Sequence, residues 1–321
     1  MTTTRAAARG VADELPTGPA RAGTRRLARI CADLIALARP AQWSKNLLVI
    51  PLALVHDARW SPSDLLRTGW AVVVFCLASS LVYVLNDLAD RRLDRGHPVK
   101  RLRPIADGRI PPAGARLYAA ALATLACVLV AVGPPLPWWP LAAYVVLNLA
   151  YSRGLKHVPL LDICVIAAGF GLRVLQGHAA TGGTPSGWFL VAVLTGCLVL
   201  AVGKRRHELT TAGTAGRPAL RGYSIALTDQ LLAVNATLAV LTFLLYLRFD
   251  APVGVYRNGL SAVAAPLALF GVFRYLQAVL VRQRGADPVR TLLRDRLIIV
   301  DGLLLGAAVL IALVAAANPA P

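Results

Sequence analysis

Four oxygen-bearing side chains crowd one short stretch, Asn86-Asp87-Leu88-Ala89-Asp90-Arg91-Arg92-Leu93-Asp94. Asn86, Asp90 and Asp94 are spaced i, i+4, i+8. On a helix each step of four turns only about 40°, so the three line one face, with Asp87 one step round. Such a stripe offers hard oxygen ligands, which suit Mg2+ and not zinc. Mg2+ keeps waters and shares its ligands with substrate phosphates, so the pattern implies a phosphorylated substrate. Asn86, Asp87, Asp90 and Asp94 are the candidate metal ligands, and Asp87, Asp90 and Asp94 the candidate catalytic residues. The bland alternative is a solvated helix end whose acids pair with Arg91, Arg92 and Arg95. Four such groups on one stripe at a membrane boundary weigh against it, because ionisable groups there are costly.

Cations follow the acids. The loop from Arg95 to Arg109 holds Lys100, Arg101 and Arg103 between Pro98 and Pro104, which stiffen it. These three could meet phosphate oxygens. A second group is Tyr151-Ser152-Arg153-Gly154-Leu155-Lys156, followed by Asp162 and Arg173. Asp162 and Arg173 are eleven residues apart, about three helical turns or roughly 16 Å, and so share a face. An Arg inside a span must face the bundle or a wet cavity, to meet substrate or a structural acid. A third group is Gly203-Lys204-Arg205-Arg206-His207-Glu208. Lys45 stands apart, near the first apolar run. For all of these the competing explanation is membrane topology.

The elements that must position these groups are membrane helices. The chain has 321 residues, is 57% hydrophobic and only 16% charged, where a soluble domain is nearer 25% charged. Its apolar residues come in blocks long enough to span a bilayer as helices and too unalternating for barrel strands. Nine spans are expected, near 40–57, 68–88, 113–133, 137–152, 160–178, 185–204, 228–248, 258–281 and 297–317. The fold expected is an all-α integral membrane bundle, one domain over 29–321. Residues 1–28 have no apolar core and read as a disordered, basic, cytoplasmic tail and not a cleavable signal.

Nearly all of the 34 Lys and Arg lie in the tail and in every second loop, whereas the alternate loops hold only Arg59, Arg67, Arg248 and Arg257. The positive-inside rule then makes the N-terminus and the charged face cytoplasmic, in the cell's inner membrane. The net charge of +18 is explained by orientation and anionic substrates, and not by nucleic acid. Cys31, Cys76, Cys127, Cys164 and Cys197 are scattered, with no disulfide framework or zinc spacing. Gly302 and Gly306 allow close helix packing, within one chain or between copies in a homo-oligomer. A transporter with Arg173 and Asp162 as pathway charges is the rival from another class. No internal repeat supports it, and the charges crowd one face, as suits an interfacial enzyme.

NDLADRRLD, the KRLRP loop and YSRGLK, set in a bundle of about nine spans, resemble the UbiA superfamily of membrane transferases over about residues 39–317. That resemblance implies an all-helical UbiA-like fold, Mg2+ at acidic motifs on cytoplasmic helix ends, and transfer of a prenyl group from a prenyl diphosphate to an aromatic or other acceptor. The superfamily's second acidic motif, DxxxD after the sixth span, is absent, and GKRRHE stands there instead. With RPAQWSKN, GFGLR and GKRRHEL, the chain looks most like the decaprenyl-phosphate phosphoribosyltransferase branch. The resemblance then implies phosphoribosyl pyrophosphate as donor, a polyprenyl phosphate as acceptor, and a place in supplying a cell-wall arabinan precursor. On this view the pyrophosphate meets Mg2+ at the acidic stripe. Lys204, Arg205 and Arg206, with Lys156, cradle the 5-phosphate, and Lys45 and the basic loops hold the lipid phosphate.

Overall fold

The computed structural model describes residues 19–50 and 61–318. Helices account for its ordered elements, with no strand among the described residues: α1 Pro19–Ala38, α2 Pro62–Arg95, α3 Pro112–Val132, α4 Trp139–Arg153, α5 Leu161–Ala180, α6 Gly187–Ala212, α7 Ile225–Leu245, α8 Arg257–Leu280, α9 Pro288–Arg294 and α10 Arg296–Ala317. The first eighteen residues of the expected tail lie outside the described residues. α1 begins at Pro19, within the expected tail.

Among the described residues seven helices are long and apolar enough to cross a membrane, against the nine expected for the chain. Two expected spans fall short. The fourth is α4, with 15 residues, about 22 Å at 1.5 Å per residue against a hydrocarbon core of about 30 Å. The first is a ten-residue 3-10 helix, Pro40–Val49, and its remainder, 51–57, lies outside the described residues. The polar pair Lys45-Asn46 within Pro40–Val49 suits this segment poorly to a bilayer interior.

Local chemistry marks the helix ends. Ser61 caps α2 by accepting from Asp64 N–H at 3.2 Å, with Pro62 at the first helical position. α2 then runs 34 residues, about 51 Å. It therefore outreaches a bilayer and carries its last turns, with the acidic stripe, beyond the apolar layer. Asp295 caps α10 by accepting from the N–H groups of Leu297 and Ile298.

α5 is the central helix: 61% of its apolar window is buried, against 17% for α3 and α10, whose outward faces are left to lipid. α5 packs on α4, α6 and the 3-10 segment, α6 also lies along α7, and α2 along α3. Phe75, Tyr144 and Val49 centre one core between α2, α4 and the 3-10 segment. Leu232, Val202 and Tyr275 centre another between α6, α7 and α8. The ends of α2, α4 and α6 and the starts of α5 and α7 meet at one end of the bundle, where hydrogen bonds cross between them.

Candidate active site

The acidic stripe is split by the rotation of its own helix. Asp87 and Asp94 are seven residues apart, about 20° around the axis, and both are buried. Arg103 Nη1 donates to Asp87 Oδ1 at 3.0 Å and to Asp94 Oδ2 at 2.7 Å. Arg39 Nη2 donates to the same Asp87 oxygen at 2.5 Å. Asn86 and Asp90 turn the other way. Ser152 Oγ donates to Asn86 Oδ1, and Lys156 Nζ donates to Asp90 Oδ1 at 2.6 Å. The expected trio of Asn86, Asp90 and Asp94 on one face is therefore two pairs. The cause is that two steps of 40° already put Asn86 about 80° from Asp94.

Among the described residues no three Asp, Glu, His or Cys side chains form a metal cage. The donor set nevertheless fits Mg2+. Asp87 and Asp94 focus on a single cationic nitrogen, and Asp90 and Asn86 add oxygens a turn away. Mg2+ binds through one or two carboxylates, leaving positions for water and phosphate oxygens.

Arg103 owes its reach to a well-anchored loop. Ile105, Ala106 and Ile110 are buried beneath α1, α2 and α3, Arg95 Nε donates to Ala106 O at 3.1 Å, and Arg109 Nη2 to Leu102 O at 2.8 Å. Lys100 and Arg101 sit on the 3-10 turn Lys100–Leu102 in the same loop. Arg39, absent from the candidate list, adopts φ 52, ψ 61, a left-handed conformation costly for a residue with a Cβ. Its guanidinium lies 5.1 Å from the Tyr83 ring centroid as well as on Asp87. Its sequence signal is its place immediately before Pro40.

In the GKRRHE segment, two of the three expected cradle cations are paired with acids of the chain. Arg205 is buried; its Nε donates to Asp162 Oδ2 at 2.6 Å and its Nη1 to Glu208 Oε2 at 2.6 Å. Arg206 Nε donates to Asp229 Oδ1 on α7 at 2.5 Å. Asp162 is fully enclosed at 0% exposure and also accepts from Tyr223 OH at 2.6 Å, while Tyr223 OH accepts from Leu160 N–H at 3.0 Å. Burial, then the Asp162 hydrogen bond, push the Tyr223 phenol well above its ordinary value, so it stays a donor. Asp162, Arg205 and Arg206 thus link α5, α6 and α7, while Arg206 Nη1 is buried without a hydrogen-bond partner among the described residues. Tyr223 could not have been singled out from the sequence, since no spacing links it to Asp162.

Lys204 is the cation of that segment left over. It is exposed and has no carboxylate within ion-pair distance among the described residues. Lys45, half-buried on the 3-10 segment, is near enough to feel its charge. Arg217 is near enough to Lys204 as well, and its Nη1 donates to Tyr151 OH at 3.2 Å.

Arg173 meets no acid within ion-pair distance among the described residues. It is 5% exposed; Nε donates to Asn46 Oδ1 at 2.9 Å, Nη1 to Gly169 O at 2.7 Å and Nη2 to Tyr144 OH at 3.1 Å. Phe75, Tyr144 and Phe170 rings surround the guanidinium at 4.7–5.1 Å. Expected among the substrate-binding residues, it here anchors the 3-10 segment through these bonds. Arg173 holds Asn46, whose Nδ2 also donates to Ser79 Oγ at 3.1 Å, and Trp43 Nε1 reaches Ser80 Oγ at 3.1 Å. Between those two anchors the segment presents Lys45.

The end of the bundle is therefore bipartite: a carboxylate focus ringed by Arg39, Arg103 and Lys156, and a cationic side with Lys45, Lys204 and Arg217. Residues 47–299 match the UbiA prenyltransferase family. The chain is 37% identical to the decaprenyl-phosphate phosphoribosyltransferase of Mycolicibacterium smegmatis, over 67% of this chain and 70% of that protein. It is 34% identical to that of Mycobacterium tuberculosis, over 84% of this chain and 91% of that protein. Among solved structures, a UbiA homolog from Archaeoglobus fulgidus bound to DMAPP and Mg2+ superposes with a TM-score of 0.63 at 16% identity, covering 90% of this chain and 100% of that one. That last likeness is one of fold.

Proposed function

The chain belongs to the UbiA prenyltransferase family, and from that premise we propose that it transfers the 5-phosphoribosyl group of phosphoribosyl pyrophosphate to a polyprenyl phosphate, releasing pyrophosphate. The observation that carries the choice of donor is the cationic side of the site. Where a prenyl diphosphate needs one anion-binding centre, a ribosyl donor and a lipid phosphate together bring three phosphate groupings. Lys45 and Lys204, from distant parts of the chain and without carboxylate partners among the described residues, supply charge away from the acidic stripe. The similarity to decaprenyl-phosphate phosphoribosyltransferases over most of the chain supports the same reading.

An oxygen of the lipid phosphate attacks the anomeric carbon, and the bond from that carbon to the pyrophosphate oxygen breaks. The nucleophile is already ionised at neutral pH, so no residue need take its proton. Asp87, Asp90, Asp94 and Asn86 would hold Mg2+, which when bound neutralises charge on the leaving pyrophosphate. Arg103 and Lys156, already resting on these carboxylates, donate to the pyrophosphate oxygens as it arrives. Lys45 and Lys204 orient the remaining phosphates, and positioning supplies much of the acceleration. The site faces the cytoplasm, where the soluble donor is found, and the polyprenyl tail lies along lipid-facing helices.

The test is pyrophosphate release by the protein purified in detergent with Mg2+ and a polyprenyl phosphate. Release with phosphoribosyl pyrophosphate, dependent on the lipid and stopped by EDTA, is expected. Release only with a prenyl diphosphate would return the chain to prenyl transfer.

A further inference from the structure

The segment between α8 and α10 does not drift over the surface; it is pressed onto α6 beside the site. Gly285 is buried, and a methyl group there would lie 2.6 Å from Gly203 O and 2.7 Å from His207 Cβ. Only a residue without a side chain permits this approach. The turn is held by Arg284 N–H donating to Ala278 O at 2.9 Å, Thr291 Oγ donating to Arg284 O at 2.6 Å, and Arg290 N–H donating to Asp287 Oδ1 at 3.1 Å.

Around this anchor, Arg284, Ala286, Asp287, Arg290, Thr291 and Arg294 line a cavity of about 600 Å³. That volume suits a sugar phosphate. Two neighbouring arginines are spent on structure: Arg274 and Arg282 both lie on Asp295, at 3.0 and 3.6 Å. The three that line the cavity have no carboxylate within 4.0 Å among the described residues. Asp287 is the one acid in the wall, so the lining carries two positive charges in excess. Asp287 is also near enough to Lys45 and Lys204 to act on both, which places the cavity beside the cationic half of the active site. Orientation in the membrane would explain charge in this loop, but not an open cleft anchored through a buried glycine to the turn that carries Lys204.

We propose that this cavity is an anion subsite of the same catalytic end, taking a phosphate monoester dianion from one of the two substrates: the 5-phosphate of the ribosyl donor or the phosphate of the polyprenyl acceptor. This rests on the transfer reading above, and it adds three arginines without carboxylate partners among the described residues to Lys45 and Lys204.

Two measurements on the full chain in detergent test it. In thermal unfolding at constant ionic strength, inorganic phosphate raises the Tm of the parent protein, and Arg290→Gln/Arg294→Gln abolishes that rise without lowering the Tm in chloride. In turnover, the same variant raises the KM of one substrate about tenfold, the worth of one charge-assisted hydrogen bond, and leaves the other within about twofold. A raised KM for phosphoribosyl pyrophosphate, with ribose 5-phosphate losing potency as an inhibitor, assigns the 5-phosphate; a raised KM for the lipid assigns the lipid phosphate. Equal phosphate stabilisation of both proteins, or KM values that stay put or move together, overturns the subsite. If the double variant does not purify, Arg290→Gln alone carries the same comparison. Should the protein not use the ribosyl donor at all, the transfer reading fails while the phosphate-dependent Tm still decides the subsite.

Discussion

Asp90 and Asp94 are one helical turn apart, yet Asp90 rests on Lys156 and Asp94 on Arg103. Neither acid is needed to hold helices together as Asp162 is, since Asp90 is one-third exposed and Asp94 pairs with a loop. Asp90→Ala should therefore abolish turnover while leaving the unfolding temperature close to that of the parent; an active variant would remove Asp90 from the metal site. Arg205 and Lys204 should part company in the opposite sense. Arg205→Ala strands the enclosed Asp162 carboxylate, a loss of about 3–5 kcal/mol typical of a broken buried pair, read as a large drop in Tm. Lys204→Ala should keep the Tm and raise the KM of the ribosyl donor more than that of the lipid. Equal Tm losses in the two variants would refute the division between a tying and a binding cation.

At the level of elements, helix length and helix caps decide where chemistry is presented. α2 is long enough to lift its acidic turns clear of the apolar layer, and the 3-10 segment is braced by Arg173 and Trp43 so that Lys45 faces the site. The entry to α10 beside the proposed subsite depends on Asp295. Burial alone would raise its carboxyl, but the Arg274 guanidinium and the Ile298 and Leu297 N–H groups outweigh that and hold it below the usual range. A carboxyl depressed by folding adds stability above its unfolded value, about pH 4, and loses it as the pH falls through the folded value. Asp295→Asn should thus lower the stability at neutral pH by about 1 kcal/mol for the lost cap charge and ion pair, read as a lower Tm. The difference from the parent should shrink on acidification below about pH 4. A difference that is constant with pH would show that the charge of Asp295 contributes nothing.

For the molecule as a whole, the cations that line the site are also those that orient the chain, so site and topology stand or fall together. A single cysteine placed at the exposed Arg92, in a chain whose five cysteines are replaced by serine, should react with a membrane-impermeant thiol reagent only from the cytoplasmic side. Labelling from the outer side in intact cells would invert the assignment of the active face. The membrane-helical class, most of the spans, the acidic motif and the family resemblance were all legible in the amino-acid order. Apolar run length, charge alternation between loops and residue identity are properties of short stretches, and solvent and bilayer act on them locally. What tertiary structure alone decided is which charges are free. Asp162, Arg173, Arg205 and Arg206 look unpaired in the linear chain, yet each meets a partner across the bundle, up to 127 residues away. That Lys45 and Lys204 have no carboxylate partner among the described residues is hidden in the sequence for the same reason: an ionic group buried among helices must find its partner across the bundle, and no local spacing records which one it finds.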